Sequence, residues 1–299
     1  DQDTWYYLDN DGIMLTGKQD INGTRYYLNA SGAMQTGWKW LENNWYYYAN
    51  SGAMKTGWIK DNEKWYYLNQ DGIMQTGKQE INGIRYYLNT SGAMQTGWQW
   101  LDKHWYYYAE SGAMKTGWLK DQGTWYYLEA QEGIMLVGFQ QVDGKQYYFS
   151  ASGAMQTGWK WFDNHYRYFE ANGAMKTGWI KDKEIWYYLN PEDGIMLVGL
   201  HKVNGDHYYF DESGAMQTGW KRIDGNWYYF QTDGSLLKNA TTPDGYKVNE
   251  EGIWRQAVAA VNGEADQSEK KQEASSSIAE QPKQDSNLEA NTSGKKEKE

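Results

Sequence analysis

The sequence contains no cysteine, only 3 prolines and only 6 phenylalanines among its 299 residues. Without cysteine, the fold has neither disulfide bonds nor cysteine-ligated metal sites. The scarcity of phenylalanine is unusual for a globular domain, whose core favours Leu, Ile, Val and Phe. No apolar run has the length of a transmembrane helix, so we expect no membrane span.

Positive charge is also limited. The chain has 29 Lys and Arg against 39 Asp and Glu, which gives a formal net charge of -10. An acidic chain is a poor partner for phosphate backbones, so nucleic acid is not expected as a ligand. A cationic ligand suits this charge better.

Tryptophan and tyrosine are abundant instead. The chain has 18 Trp and 27 Tyr, and aromatic residues make up 17% of it. Both side chains combine an apolar face with a polar edge, which suits half-exposed surfaces and binding sites.

A short motif recurs along the chain with nearly constant spacing. All 11 methionines lie in a unit Gly-x-Met-x-x-Gly that returns every 20 residues, twice stretched to 21. The units begin at Gly12, Gly32, Gly52, Gly72, Gly92, Gly112, Gly133, Gly153, Gly173, Gly194 and Gly214. A short fixed period indicates an array of small structural units that do not share a single globular core.

Each repeat has the pattern of a β-hairpin. Gly37 to Leu41 is aromatic and alternating, Glu42 to Asn44 has the composition of a turn, and Trp45 to Tyr48 is strongly β-prone. Other repeats carry Asn-Gly or Asp-Gly at the turn, the strongest short hairpin signal. A lone hairpin is marginal in water, so the hairpins must stack on one another.

The sequence therefore predicts an all-β solenoid, a superhelix of stacked β-hairpins with about 20 residues per repeat. We assign residues 1–254 to this array. Residues 255–299 are polar, charged and free of aromatics, and we expect a disordered charged linker or tail there.

Every third hairpin differs from its neighbours. Both tryptophan positions are replaced there, while the turns, tyrosines and glycines persist. The replacements are Lys18 with Arg25, Lys78 with Arg85, Phe139 with Gln146, and Leu200 with His207. We expect about three hairpins per superhelical turn, which would align the altered hairpins along one edge.

Catalytic motifs are missing from the sequence. The four histidines form no metal-spaced pair, and no glycine-rich phosphate loop follows a strand. We expect no enzyme activity in this chain, no metal site and no cofactor.

The paired tryptophans are the best candidates for a binding site. Trp38 and Trp45 lie seven residues apart across a turn, so antiparallel pairing brings them together. Aromatic cages of this kind bind quaternary ammonium groups through their negative ring faces. Packing is the alternative, and we assign it to Leu68, Leu128 and Leu189 and to the first tyrosines Tyr66, Tyr126 and Tyr187. The two Trp positions vanish together in every third hairpin, which favours binding over packing for them.

The pattern TGW-x6-WYYL-x3-G-x-M, with GAMQTGW and GAMKTGW, resembles the cell-wall-binding repeats of the choline-binding proteins of streptococci and their phages. The resemblance covers about residues 1–237. It implies choline as the ligand, held between successive hairpins by the Trp after Gly, the first aromatic of the second strand and the second Tyr of the next hairpin. The implied sites are Trp38, Trp45 and Tyr67; Trp58, Trp65 and Tyr87; Trp98, Trp105 and Tyr127; Trp118, Trp125 and Tyr148; Trp159, Tyr166 and Tyr188; and Trp179, Trp186 and Tyr209.

Some positions depart from this pattern. Sites at the altered hairpins are expected to be absent, and Trp220 and Trp227 lack a clear partner because the next repeat decays. The loop methionine is expected to add an apolar wall, but the sequence leaves open which repeat supplies it.

The resemblance also implies where the protein acts. It implies a secreted protein of the bacterial cell surface that binds choline or phosphocholine of teichoic and lipoteichoic acid, as a monomer or a choline-promoted dimer. Two alternatives remain: a glucan-binding array, since glucosyltransferase and clostridial toxin repeats share the YYF hairpin, and the targeting half of a cell-wall hydrolase.

Overall fold

The computed structural model describes residues 4–255, and every regular element in this range is a β-strand. Most of the predicted tail, residues 256–299, lies outside the described residues. The strands are β1 Gly17–Ile21, β2 Thr24–Leu28, β3 Gly37–Leu41, β4 Asn44–Tyr48, β5 Gly57–Asp61, β6 Lys64–Leu68, β7 Gly77–Ile81, β8 Ile84–Leu88, β9 Gly97–Leu101, β10 His104–Tyr108, β11 Gly117–Asp121, β12 Thr124–Leu128, β13 Gly138–Val142, β14 Lys145–Phe149, β15 Gly158–Phe162, β16 His165–Phe169, β17 Gly178–Asp182, β18 Ile185–Leu189, β19 Gly199–Val203, β20 Asp206–Phe210, β21 Gly219–Ile223, β22 Asn226–Phe230, β23 Ala240–Thr241, β24 Lys247–Val248 and β25 Ile253–Trp254.

Strands β1 to β22 form eleven antiparallel hairpins of consecutive strands, which we number 1 to 11 in chain order. Each turn has two residues, and both have a positive φ, as Asn22 (53°) and Gly23 (78°) show. This geometry matches the twist of paired strands and favours Asn-Gly. The predicted hairpin repeats are confirmed.

The turn of hairpin 2 is one residue shorter than the sequence pattern suggested. Only Glu42 and Asn43 form it, because Asn44 already pairs with Leu41 as the first residue of β4. The register then pairs Trp40 with Trp45 and Trp38 with Tyr47. A one-residue change of register would turn these side chains to the opposite face.

Each hairpin therefore has two distinct faces. Paired residues share a face, so Trp38, Trp40, Trp45 and Tyr47 lie together, while Tyr46 lies on the other side. We call the tryptophan-bearing side the forward face, because it contacts the next hairpin, and the other side the rear face.

The loops connect each hairpin to the one before it. After hairpin 3 the chain folds back so that Met74 bridges to Leu68. The main-chain N–H of Met74 then donates to the carbonyl oxygen of Trp45 in hairpin 2, at 2.9 Å. Equivalent hydrogen bonds recur along the array, so every interface has the same backbone link.

The most deeply buried side chains come from the last residue of each second strand. Leu68, Leu128 and Leu189 are fully buried, which confirms their assignment to packing. Burying a side chain of this size stabilises the fold by about 1.5–3 kcal/mol. Stability is thus distributed over many small, equivalent interfaces.

The array ends in a different element. Strands β23, β24 and β25 continue the sheet of hairpin 11 in the order β21-β22-β25-β24-β23. We call residues 240–254 the C-terminal cap. It covers the edge of β22, which would otherwise offer unpaired backbone groups.

Candidate functional site

Two aromatic rings stand at right angles on the forward face of seven hairpins. The ring centroids of Trp38 and Trp45 are 6.5 Å apart, with an interplanar angle of 88°. The other pairs have the same geometry: Trp58/Trp65, Trp98/Trp105, Trp118/Trp125, Trp159/Tyr166, Trp179/Trp186 and Trp220/Trp227. The second member is half exposed in each pair, so the notch between the rings opens to solvent.

A tyrosine from the next hairpin closes this notch. The Tyr66 ring centroid lies 4.9 Å from that of Trp38, at 64°. The equivalent tyrosines contact the first Trp at 4.8 to 5.0 Å, and they are Tyr86, Tyr126, Tyr147, Tyr187 and Tyr208. Each is the first tyrosine of its strand, whereas the resemblance implied the second, so Tyr66, Tyr126 and Tyr187 line cages as well as pack.

The second tyrosines lie on the other face of their hairpins. Tyr67 pairs with Trp58 across its own hairpin, with ring centroids 5.2 Å apart, and faces away from Trp38. The same holds for the other implied third ligands, Tyr87, Tyr127, Tyr148, Tyr188 and Tyr209, each of which occupies the same register position. The structure thus brings the first tyrosine of the next hairpin, and not the second, to the two rings, because neighbouring residues of a strand point to opposite faces. The choline-binding role of all these residues stays a prediction.

The structure identifies which loop supplies the methionine wall. A cavity of about 390 Å³ between hairpins 6 and 7 is lined by Trp118, Trp125, Tyr147, Met155 and Asn172. Met155 follows hairpin 7, and its N–H donates to the carbonyl of Trp125 at 2.8 Å. The same main-chain bond recurs in the other five cages, so each has a methionine of the next repeat at the equivalent position, beside two rings of one hairpin and a tyrosine of the next.

An aspartate that the sequence analysis did not single out fixes the first tryptophan in three of the cages. The indole Nε1–H of Trp38 donates to Asp61 Oδ2 at 3.1 Å. Trp98 and Trp159 donate in the same way to Asp121 and Asp182. The bond holds the edge of the indole and places a carboxylate beside the cage while the ring face stays free. Its sequence signal is the motif Gly-Trp-x-Lys-Asp, found in hairpins 3, 6 and 9.

A further tryptophan lies just outside three cages. Trp40 is 55% exposed, and its ring centroid is 5.4 Å from that of Trp45. Trp100 and Trp161 occupy the same position in hairpins 5 and 8. Trp40 thus contacts the outer ring of the cage, Trp45.

Two of the altered hairpins fill the cage position with a lysine. The Lys18 ammonium lies 4.3 Å from the ring centroid of Tyr46, the third-wall tyrosine of hairpin 2, and pairs with Glu42 at 2.7 Å. Lys78 has the same contacts with Tyr106 and Asp102. Burial acts to lower the pKa of the Lys18 ammonium, but hydrogen bonds to Glu42 and Tyr46 outweigh it and raise the pKa. A cation of the chain itself therefore occupies the place where a cationic ligand would sit.

The other two altered interfaces also contain a basic side chain. Arg167 replaces the third-wall tyrosine of hairpin 8, and its guanidinium carbon lies 5.4 Å from the Phe139 ring centroid. Lys238 lies 3.2 Å from Nδ1 of His207. A basic side chain is thus present at each of the four altered interfaces, and the absence of a ligand site there stays a prediction.

Hairpin 11 differs from the expectation. The decayed repeat after Trp220 and Trp227 indicates no clear partner for them, but Tyr246 and Trp254 of the C-terminal cap complete a cavity with them. The sequence gives little indication of these partners because the strands of the C-terminal cap have only two residues each.

No other site chemistry stands out in the part of the chain that the structure describes. Residues 4–255 contain no group of three or more His, Asp or Glu side chains arranged to hold a metal ion. The same residues include no helix with the length and apolar character of a membrane span.

Comparison with known proteins agrees with the repeat geometry. Choline-binding repeats match residues 1–34, 15–56, 55–96, 95–138, 136–177, 156–199 and 197–240. A sequence search among curated proteins gave no significant match.

Two solved structures from Streptococcus pneumoniae are similar over most of the chain. CbpJ of strain TIGR4 is 33% identical, with a TM-score of 0.62 over 80% of this chain and 99% of that chain. Choline binding protein F is 33% identical, with a TM-score of 0.58 over 80% of this chain and 98% of that one. With its repeats matched along most of its length, this chain belongs to the choline-binding repeat family.

Proposed function

We propose that this array is a non-catalytic module that binds choline groups of teichoic and lipoteichoic acids and so tethers the protein to a bacterial cell wall. The observation that carries the proposal is the six-fold recurrence of one cage between successive hairpins. Each cage has two perpendicular rings, a tyrosine at 4.8 to 5.0 Å and a loop methionine.

The chemistry of the cage suits a quaternary ammonium group. Such a cation is weakly hydrated and offers no N–H, so it is held by ring faces and not by hydrogen bonds. A metal ion or an anion would find no ligating set in these walls. The net charge of -10 adds a long-range attraction for cations.

The number of cages compensates for the weakness of each. One cation–π contact contributes about 0.5–2 kcal/mol, so a single exposed cage binds weakly. A polymer that carries many choline groups occupies several cages at once, and its second contact is intramolecular. Six cages on one chain therefore suit a polymeric ligand better than free choline.

Related structures support the class of ligand. Choline binding protein F has been solved in the presence of a peptidoglycan analogue and in complex with ipratropium, which is a quaternary ammonium compound. These structures are 32% and 31% identical to this chain. They support a cell-wall location and a cationic ligand for the module.

A titration tests the proposal. Choline chloride should give a saturable change in tryptophan fluorescence and a rise in melting temperature, because a ligand that binds only the folded array stabilises it. Sodium chloride serves as the ionic control and a dextran oligomer as the control for glucan binding. A response to dextran with none to choline would replace this proposal by the glucan-binding alternative.

A test of the tethering function requires the choline-bearing polymer in place of free choline. The full chain should sediment with teichoic acid that carries choline and stay in solution with the same polymer after its choline has been removed. Equal binding to both polymers would show that choline is not the group recognised.

A further inference from the structure

The C-terminal cap repeats the register of a hairpin although its sequence has diverged. Gly252-Ile253-Trp254 stands where earlier repeats have Gly-x-Met, and Trp254 pairs with Trp227. A Cβ at Gly252 would meet Leu236 of the preceding loop, as one at Gly234 would meet Met216. Val248 is buried like the core residues that end the second strands.

The same alignment shows which repeat position Tyr246, the tyrosine of the cap, occupies. Tyr246 lies two residues before Val248, as Tyr66 lies two residues before the buried Leu68. Tyr246 therefore occupies the third-wall position. Trp254 takes the position of the loop methionine.

The four rings line one open cavity at the end of the array. Trp220 and Trp227 have centroids 6.5 Å apart at 88°, as in the other pairs. Tyr246 lies 5.8 Å from Trp220, and Trp254 lies 5.6 Å from Tyr246 at 85°. The cavity has a volume of about 330 Å³ and is lined by these four residues and Asp244.

The carboxylate of Asp244 has the role that Asp61 has in the repeats. It accepts a 2.8 Å hydrogen bond from the indole Nε1–H of Trp220. Its other oxygen accepts a hydrogen bond from the Thr242 hydroxyl. The Thr242 hydrogen bond and then the Trp220 hydrogen bond hold the pKa of Asp244 below its usual value. The cavity thus has a negative charge at its edge and aromatic faces on its walls.

We propose that Trp220, Trp227, Tyr246 and Trp254 form a seventh site for a quaternary ammonium group, and that it binds more tightly than the six cages between hairpins. The proposal rests on the proposed function and extends it to residues 241–254, which lie beyond the matched repeats. Tryptophan is the best aromatic partner for a cation, and here a third tryptophan replaces a methionine that has no ring.

The higher affinity follows from the count of rings. The repeat cages present three rings and a methionine to the ligand, and three of them share the carboxylate at the edge, whereas the terminal site presents four rings. An additional ring face strengthens binding about 2- to 10-fold at a partly exposed site. The terminal site should therefore fill first as the choline concentration rises.

Fluorine NMR distinguishes the sites within the full chain. Protein labelled with 5-fluorotryptophan is titrated with choline chloride, and the Trp254 resonance is the one that disappears in Trp254→Met. We expect this resonance to reach its midpoint at a choline concentration about 2- to 10-fold below that of the repeat tryptophans. In Trp254→Met, the choline midpoint of the Trp220 and Trp227 resonances should rise to that of the repeat cages, because the terminal site of the variant then has the same kinds of side chain as those cages.

The outcomes separate the two proposals. If the repeat resonances shift with choline and the Trp254 resonance does not, the terminal site is refuted and the proposed function stands. A Trp254 midpoint equal to the others refutes the higher affinity. If no resonance shifts, both proposals are refuted. The melting temperature of Trp254→Met without choline checks that the cap remains folded.

Discussion

The main-chain N–H of Met74 and the carbonyl oxygen of Trp45 form a 2.9 Å hydrogen bond that joins the loop after hairpin 3 to hairpin 2. The bond places Met74 at the cage of Trp38 and Trp45 in the position that Met155 has beside Trp118 and Trp125. It also means that a cage is complete only when the following hairpin and its loop have folded. Binding and folding are therefore linked along the array, and choline should stabilise interfaces more than isolated hairpins.

The register makes a direct prediction for two adjacent tyrosines. Tyr86 lies on the rear face of hairpin 4, with its ring centroid 4.8 Å from that of Trp58, whereas Tyr87 pairs with Lys78 on the forward face. Tyr86→Leu should remove one choline site, because the cage of Trp58 and Trp65 loses its third wall. Isothermal titration calorimetry gives the number of sites.

Tyr87→Leu is the matched control, with the same residue type in the same strand. It should leave the number of sites unchanged. If Tyr87→Leu removes a site and Tyr86→Leu does not, the third wall is the second tyrosine, as the family resemblance implied.

The altered hairpins predict a gain of function. Lys18→Trp combined with Arg25→Trp restores the two rings opposite Tyr46 and removes the ammonium that lies 4.3 Å from that ring. We expect calorimetry to show one additional choline site. Lys18→Met alone removes the cation without adding rings, so it should add no site. An unchanged number of sites in the double variant would show that the interface is closed for another reason.

Substitutions at two glycines distinguish the cost of backbone strain from the cost of a clash with a cage methionine. Gly92 and Gly97 have φ of 81° and 69°, and both disfavour a side chain by about 1 kcal/mol. A Cβ at Gly92 would also overlap the Met74 side chain, whereas one at Gly97 meets nothing within 4 Å. Gly92→Ala should therefore lower stability by about 1–3 kcal/mol more than Gly97→Ala.

Gly92→Ala should also weaken the cage that contains Met74. Thermal unfolding and choline titration of both variants measure the two effects. Equal losses of stability in Gly92→Ala and Gly97→Ala would mean that Met74 moves aside without cost and is not a fixed wall.

One histidine makes stability depend on pH. Burial, and then the positive charges of Lys238 and Lys202, lower the pKa of His207, while Asp206 acts in the opposite direction. The folded protein therefore favours neutral His207. This stabilisation is present above the ordinary histidine pKa of 6.5 and is lost as the pH falls through the lowered value.

His207→Gln, which copies Gln146 of hairpin 7, should reduce the fall in melting temperature between about pH 8 and about pH 5. Melting curves of the two proteins at both pH values provide the measurement. An unchanged fall in the variant would place the acid sensitivity elsewhere in the chain.

The local features of the array followed from the sequence, and the features that cross an interface did not. The hairpins and the Trp38/Trp45 pair were predictable because a short turn fixes both. The third wall depends on which face of the next hairpin is turned toward the cage. Tyr66 and Tyr67 are adjacent in one strand and lie on opposite faces, so the choice between them needs the packing of two hairpins, which the sequence pattern does not give.

The contacts of Lys18 and Asp61 needed the structure for a different reason. Each reaches a residue more than 20 positions away, Glu42 from Lys18 and Trp38 from Asp61. Periodicity places such residues on a face but does not show which side chains meet. Trp254 was missed because the cap keeps the register of a repeat without its motif.

Each hairpin that has the two cage rings presents the front half of a cage on its forward face, and the rear half lies on the next repeat. A block of three hairpins, two with the rings and one without, can therefore be duplicated or deleted as a whole, and the new neighbours meet with complementary halves. The binding surface can lengthen or shorten by recombination without redesign of any cage. A family built from such interchangeable units can match its reach to the spacing of groups on a polymer by changing the number of units alone.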